Sequence, residues 1–236
     1  MDGWLSDVDV HVIWLLNEWQ RQAGIDGDIL EIGVFMGKSA ILLGHLLEDS
    51  ENLEVCDVFD RSASLSSANA DENRLQYSGL TRAAFERTFL QHHDRVPVIH
   101  PIPSAELPQH LGQSRFRVIH IDGSHLYENV RGDIAFSGPR LVEGGIVILD
   151  DWSHSDHPGV AAATWEAILA GALVPVVTTD MKLYGFWKTE GGNEVAGLQA
   201  HLERSPYFEI ARHEIADAAL LQVRLRGWTR EASREL

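Results

Sequence analysis

Asp28-Ile29-Leu30-Glu31-Ile32-Gly33-Val34-Phe35-Met36-Gly37-Lys38-Ser39 is the stretch that decides the fold. A short apolar run, two glycines four residues apart and a Lys-Ser pair follow without a break, which reads as buried strand, tight turn and helix start. Gly33 and Gly37 have no β-carbon, so the chain can turn sharply and a ligand can approach the backbone, while the new helix offers amide hydrogens without helical partners. Glu31 stands at the strand's end. A carboxylate there repels phosphate and suits a cationic or hydroxyl-rich ligand.

The pattern repeats on both sides of this unit. Ser6 followed by Asp9 forms a capping signature, and Val8, Val12, Leu15, Leu16 and Trp19 recur at helical spacing until Ala23-Gly24 ends the run. Short apolar runs at Ile29–Ile32, Leu53–Val58, Val96–Ile99, Phe116–Ile121 and Ile146–Leu149 then alternate with helical segments. Among these are Lys38–Leu47, a helix after Tyr127, and a helix opened by Pro158 and closed before Gly171. Such alternation predicts an α/β fold, a mostly parallel sheet with helices on both faces. In the helix after Tyr127, Val130, Ile134 and Phe136 are the apolar positions, which leaves Arg131 and Asp133 for solvent or a partner, with no chemistry assigned to them. Leu173–Val177 and Lys182–Trp187 read as an antiparallel hairpin at one sheet edge. The stretch 60–80 has no apolar period and reads as a lid; 191–236 carries apolar runs at Phe208–Ile210 and Ala219–Leu225 that cover an edge or build a dimer contact, which leaves a homo-oligomer open.

At 236 residues and 44% hydrophobic content the chain is expected to form one domain, 1–236, with residues 1–27 as a helical extension. Its formal net charge of -16 opposes nucleic acid and anionic membrane, and favours a small-molecule partner. The single cysteine, Cys56, reads as a buried core residue and gives no sign of an oxidising compartment. With no basic-then-apolar leader and no run near the roughly 20 apolar residues of a membrane span, the expected location is the cytoplasm.

In open parallel sheets, ligands sit beyond the carboxyl ends of the strands, so the residues just after each run carry the chemistry. Asp57, after the second strand, offers two acceptor oxygens that match the two hydroxyls of a ribose, with Asp60 as the competing acid. A phosphate-loop NTPase is excluded because Gly33-x-x-x-Gly37-Lys38-Ser39 is one residue short of the required loop, and Ile32 stands where its first glycine should be. The next two strands end in Ile119-His120-Ile121-Asp122-Gly123-Ser124-His125-Leu126-Tyr127 and Ile148-Leu149-Asp150-Asp151-Trp152. His125 is suited to take a proton near neutral pH, and Asp122 is the other candidate base. In Trp152-Ser153-His154-Ser155-Asp156-His157, the imidazoles read as parts of a solvated loop.

The E-x-G-x-x-x-G run resembles motif I of the class I methyltransferases that use S-adenosylmethionine. The D-G-S-H-x-Y segment followed by I-L-D-D resembles the metal-dependent small-molecule O-methyltransferases of antibiotic pathways, including macrolide sugar O-methyltransferases and the cephalosporin-hydroxylase-related group. By that resemblance the fold is Rossmann-like, with a seven-stranded sheet ending in an antiparallel edge hairpin. The cofactor, S-adenosylmethionine, is expected at Glu31, Gly33, Val34, Phe35, Gly37, Ser39, Asp57, Ser104 and Asp122, with Ser104 at the adenine edge. Asp122, Asp150 and Asp151 are expected to hold Mg²⁺ or another hard divalent cation, which would make a bound substrate hydroxyl more acidic. The implied reaction is methyl transfer to a hydroxyl of a sugar or other natural product, with Asp122 or His125 as base. Two alternatives stand beside it: a metal-independent O- or N-methyltransferase, and a non-catalytic nucleotide-binding partner protein.

Overall fold

The computed structural model describes residues 3–60, 80–188 and 193–227. Among the described residues, nine strands form one sheet in the order β3-β2-β1-β4-β5-β7-β6-β9-β8. They are β1 (Asp28–Ile32), β2 (Leu53–Cys56), β3 (Val98–His100), β4 (Phe116–Ile121), β5 (Leu141–Leu149), β6 (Leu173–Thr178), β7 (Leu183–Trp187), β8 (Phe208–Ile215) and β9 (Ala218–Leu225). The chain runs outward from β1 through β2 to β3, then crosses back to place β4 against the other side of β1. That reversal between β1 and β4 opens the crevice in which such sheets take ligands.

Period-two alternation sorts the strand side chains onto two apolar layers. Ile29, Val118, Ile146 and Ile148 pack on one face with Leu16, Leu43, Phe85 and Leu198. These come from α1 (Asp7–Ala23), α2 (Lys38–Gly44), α3 (Arg82–Phe89) and α6 (Asn193–Glu203). Leu30, Ile119, Ile121 and Val147 pack on the other face with Val130, Ile134, Val160 and Ile168, from α4 (Tyr127–Ser137) and α5 (Pro158–Leu169). Ser6 caps α1 as the sequence predicts, its hydroxyl accepting from Asp9 N–H, and Gly24 closes it in the left-handed region.

A buried polar staple ties α1 to the far end of the sheet. Arg117 on β4 is fully enclosed. Its guanidinium donates to Glu51 Oε1 at 2.9 Å, Gln20 Oε1 at 3.0 Å and Leu46 O at 2.9 Å. Burial alone would raise the Glu51 carboxyl, but hydrogen bonds from Arg21 and Arg117 outweigh it and hold it at about 2.

The seven-stranded expectation is corrected to nine. The hairpin β6–β7 is not an edge, because β9 pairs parallel to β6 through Val177↔Leu221 and β8 then closes the sheet. The apolar runs of the C-terminal segment therefore extend the sheet. The helix expected to run to Leu47 ends at Gly44, and β3 sits two residues later than its apolar run suggested. Apart from Asp60 and Leu80, the expected lid lies outside the described residues. No helix among them is long and apolar enough to cross a membrane.

Candidate active site

The parallel ladders run one residue beyond each strand, and this sets the rim. Gly33 N–H donates to Cys56 O at 2.8 Å, Asp57 N–H to His100 O at 3.2 Å, Asp122 N–H to Ile32 O at 2.8 Å, and Asp150 N–H to Ile121 O at 3.0 Å. Gly33, Asp57, Asp122 and Asp150 are thus held side by side at the carboxyl ends of β1, β2, β4 and β5. They line a cavity of about 1200 Å³, as do Phe35, Ser104, His125, Asp133, Asp151, His157 and Lys182.

Gly33 has φ +82°, and a Cβ there would lie 2.0 Å from Asp122 O. The glycine is required by the close approach of two rim loops. The loop is then tied to β2: Val34 N–H donates to Asp57 Oδ2 at 2.9 Å, and Phe59 N–H to Asp57 Oδ1 at 2.8 Å. Burial nevertheless raises Asp57 above the usual carboxylate range, against those backbone bonds.

Four residues expected at the cofactor do not lie on the cavity wall. Glu31 is fully enclosed and accepts from His120 Nδ1 at 2.8 Å; the two are register partners on β1 and β4, so the motif acid points behind the rim. Val34 is a core side chain. Gly37 is the N-cap of α2, and Ser39 lies within that helix. Gly33, Phe35, Asp57, Ser104 and Asp122 do line the cavity.

The three aspartates expected to hold a metal do not converge as one set: Asp122 and Asp150 are hydrogen-bonded, while Asp151 turns elsewhere. Asp151 adopts φ +55°, which turns its side chain away from Asp150. Asp151 Oδ2 lies 3.2 Å from His125 Nε2 and 2.9 Å from His157 Nδ1, and the two imidazoles stack with centroids 3.6 Å apart. These histidines hold Asp151 below the usual range although burial opposes them, the hydrogen bond from His125 contributing most. Asp150 is engaged on both oxygens, Oδ1 by Asp151 N–H at 2.9 Å and Oδ2 by the Lys182 ammonium. Burial, and then Asp150, push Asp122 well above the carboxylate range. Among the described residues, two groups bring ligating atoms within 4.8 Å of one another: His125, Asp151 and His157, and His120, Asp122 and Asp150. Neither is the expected trio, so the all-oxygen Mg²⁺ site does not fit these side chains. The loop after β5 is also corrected: His154 and His157 line the cavity.

Several wall residues carry no pattern in the sequence. The segment from Gly3 to Asp9 closes one side, with Lys38 Nζ donating to Gly3 O at 3.1 Å and Trp4 stacked on Phe35 at 5.1 Å. Asp9 accepts from Thr179 Oγ1 at 2.7 Å and Tyr184 Oη at 2.8 Å, which pins this segment to the β6–β7 loop. Asp133, expected at the surface, is 3% exposed. Burial pushes it up to about 7 although a hydrogen bond from Ser104 opposes this. Lys182 is buried at the start of β7; the polar turn before it gave no hint of that.

The mostly parallel sheet, with its reversal between β1 and β4 and the glycine turn at Gly33, agrees with the class I methyltransferase fold. The methyltransferase-domain family matches residues 30–152, and the chain belongs to it: it is an S-adenosylmethionine-dependent methyltransferase. No curated protein sequence matches it. Among solved structures it is similar to the O-methyltransferase NovP, at 19% identity and TM-score 0.57 over 77% of this chain and 81% of that one. It is also similar to CalS11, the TDP-rhamnose 3'-O-methyltransferase of calicheamicin biosynthesis, at 18% identity and TM-score 0.53 over 78% and 82%. A third is TomG from Streptomyces achromogenes, an O-methyltransferase of tomaymycin synthesis in complex with SAM, at 17% identity and TM-score 0.53 over 79% and 82%.

Proposed function

We propose that this chain methylates a hydroxyl of a small natural product, such as a sugar moiety, with S-adenosylmethionine as donor. The observation that carries the reading is one cavity of about 1200 Å³ lined both by the Gly33–Asp57 crevice and by the His125–Asp151 pair. That volume suits a nucleoside donor together with a small acceptor. The descriptions of NovP, CalS11 and TomG as O-methyltransferases support the same reading.

When bound, S-adenosylmethionine supplies an electrophilic methyl group on a sulfonium. The ribose is assigned to Asp57 and the adenine edge to Ser104. His125 would take the acceptor's proton, and the bound donor would supply the methyl group to the hydroxyl oxygen. Asp151 is the orienting partner: it lies 3.2 Å from His125 Nε2 and stabilises the imidazolium. Asp122, whose carboxyl is hydrogen-bonded to Asp150, is the other candidate base. Mg²⁺ enters no step, because the expected trio does not converge.

The test is transfer from methyl-labelled donor to a panel of hydroxylated natural products and nucleotide sugars. Labelled O-methyl product that falls by about 100-fold or more in His125→Ala supports the reading. Donor binding with no transfer to any acceptor would point to a non-catalytic binding protein.

A further inference from the structure

Behind the cavity wall, one buried chain of polar groups crosses four strands' worth of sheet. Glu31 Oε1 accepts from His120 Nδ1 at 2.8 Å. His120 Nε2 lies 3.2 Å from Lys182 Nζ, and Lys182 Nζ contacts Asp150 Oδ2. Asp150 in turn is hydrogen-bonded to Asp122. An ammonium can only donate, so His120 Nε2 must accept from Lys182, and Nδ1 then carries the hydrogen given to Glu31. The tautomer is fixed and every link has a donor and an acceptor.

The charges follow from the same contacts. Lys182 is 1% exposed; it contacts Asp150, which is hydrogen-bonded to Asp122, and it reaches Glu31 only through His120. Carboxylates packed like this need a cation or a proton. Lys182 is that cation: burial acts against its charge, but Asp150, Asp122 and Asp9 outweigh it and hold its pKa above the ordinary lysine value. A divalent ion at bonding distance from Asp150 would have to displace this ammonium or lie against it, and Asp151, the third oxygen donor, has turned to His125 and His157.

We infer that Lys182 is the resident cation of the acidic rim, standing where a divalent ion would otherwise hold Asp122 and Asp150 together, so that this chain works without Mg²⁺. The inference rests on the methyltransferase reading above and adds to it a positioning residue: Lys182 holds Asp150, and through it Asp122, against the cavity.

The experiment is calorimetric titration of MgCl₂ into the full chain saturated with S-adenosylhomocysteine, for wild type, Lys182→Ala and Lys182→Arg. Mg²⁺ is the probe because it prefers oxygen donors and would pass over the His125–Asp151–His157 group. Wild type and Lys182→Arg are expected to show no one-to-one binding up to about 10 mM, while Lys182→Ala opens the site and binds Mg²⁺ at least about 10-fold more tightly. One Mg²⁺ per wild-type chain overturns the inference, as does a folded Lys182→Ala that gains no site. Should Lys182→Ala fail to fold, the wild-type titration decides alone. Absence of S-adenosylhomocysteine binding in every protein overturns the methyltransferase reading itself, a different failure from Mg²⁺ binding to a loaded chain.

Discussion

Gly33→Ala is the sharpest test of how the crevice is built. The new Cβ would lie 2.0 Å from Asp122 O, 2.5 Å from Asp122 C and 2.7 Å from Gly123 Cα. These are backbone atoms of the β4 rim, so no side chain can swing aside, and one of the two loops must move by about 1.4 Å or more to reach ordinary contact. Two costs add. Holding a non-glycine residue at φ +82° costs about 1–2 kcal/mol, and the overlap about 1–3 kcal/mol more. Gly171→Ala separates them, because Gly171 has φ +67° and nothing within 4 Å of the place its new methyl would take; it should lose only the conformational part. Urea unfolding should place Gly33→Ala about 2–5 kcal/mol below wild type and clearly below Gly171→Ala. Its affinity for S-adenosylhomocysteine should fall by about 10-fold or more as the rim is pushed out of register, with Gly171→Ala unchanged. Equal unfolding costs and unchanged affinity in both variants would refute the argument that Gly33 is demanded by loop apposition.

The buried charges and the cavity wall carry the remaining predictions. Asp133 sits at about 7 in the fold against about 3.9 unfolded, so the folded state binds the extra proton between those values. Stability therefore falls as pH rises from about 4 to 7, by at most about 4 kcal/mol, and Asp133→Asn should flatten that slope in denaturation series. Glu51 has the opposite sign: held at about 2, it loses its contribution as pH falls from about 4.5 to 2, by at most about 3 kcal/mol, and Glu51→Gln should remove that acid-side slope. Arg117→Met leaves Gln20 Oε1 without its donor and Glu51 with Arg21 as its remaining guanidinium partner, and should cost about 3–5 kcal/mol in urea unfolding. Trp4→Ala should change stability by less than about 1 kcal/mol, since Trp4 is 72% exposed. It should still weaken S-adenosylhomocysteine binding several-fold by opening the stack on Phe35, which calorimetry reads directly.

The sequence made the scaffold legible because periodicity reports burial on each strand and helix separately. The Gly33 turn, the Ser6 cap and the five parallel strands all rest on local chemistry that a single segment displays. Long-range pairing is not local: whether Ala219–Leu225 covers an edge or extends the sheet depends on β9 meeting β6 through Val177 and Leu221. The site divides the same way. Asp57, Asp122 and Asp150 could be placed at the rim because a parallel ladder fixes the residue after each strand. Where their side chains point could not, since the φ of Asp151 and the reach of Lys182 from β7 are tertiary facts. His120 inside an otherwise apolar run, like Glu31 in its own, was the one visible sign of a buried polar chain, as two polar residues on core strands require partners. Asp133 carried no such sign, because one acid on an amphipathic helix looks the same whether it faces solvent or a cavity.

The central claim is that the crevice between β1 and β4 binds an adenosyl sulfonium donor and not a triphosphate. Its most direct test is calorimetric titration of the chain with S-adenosylhomocysteine and with ATP, each in Mg²⁺ and in chelator. The account predicts one S-adenosylhomocysteine per chain, with the same affinity in both buffers, and no saturable binding of ATP. Saturable ATP binding that requires Mg²⁺, with S-adenosylhomocysteine left unbound, would contradict it.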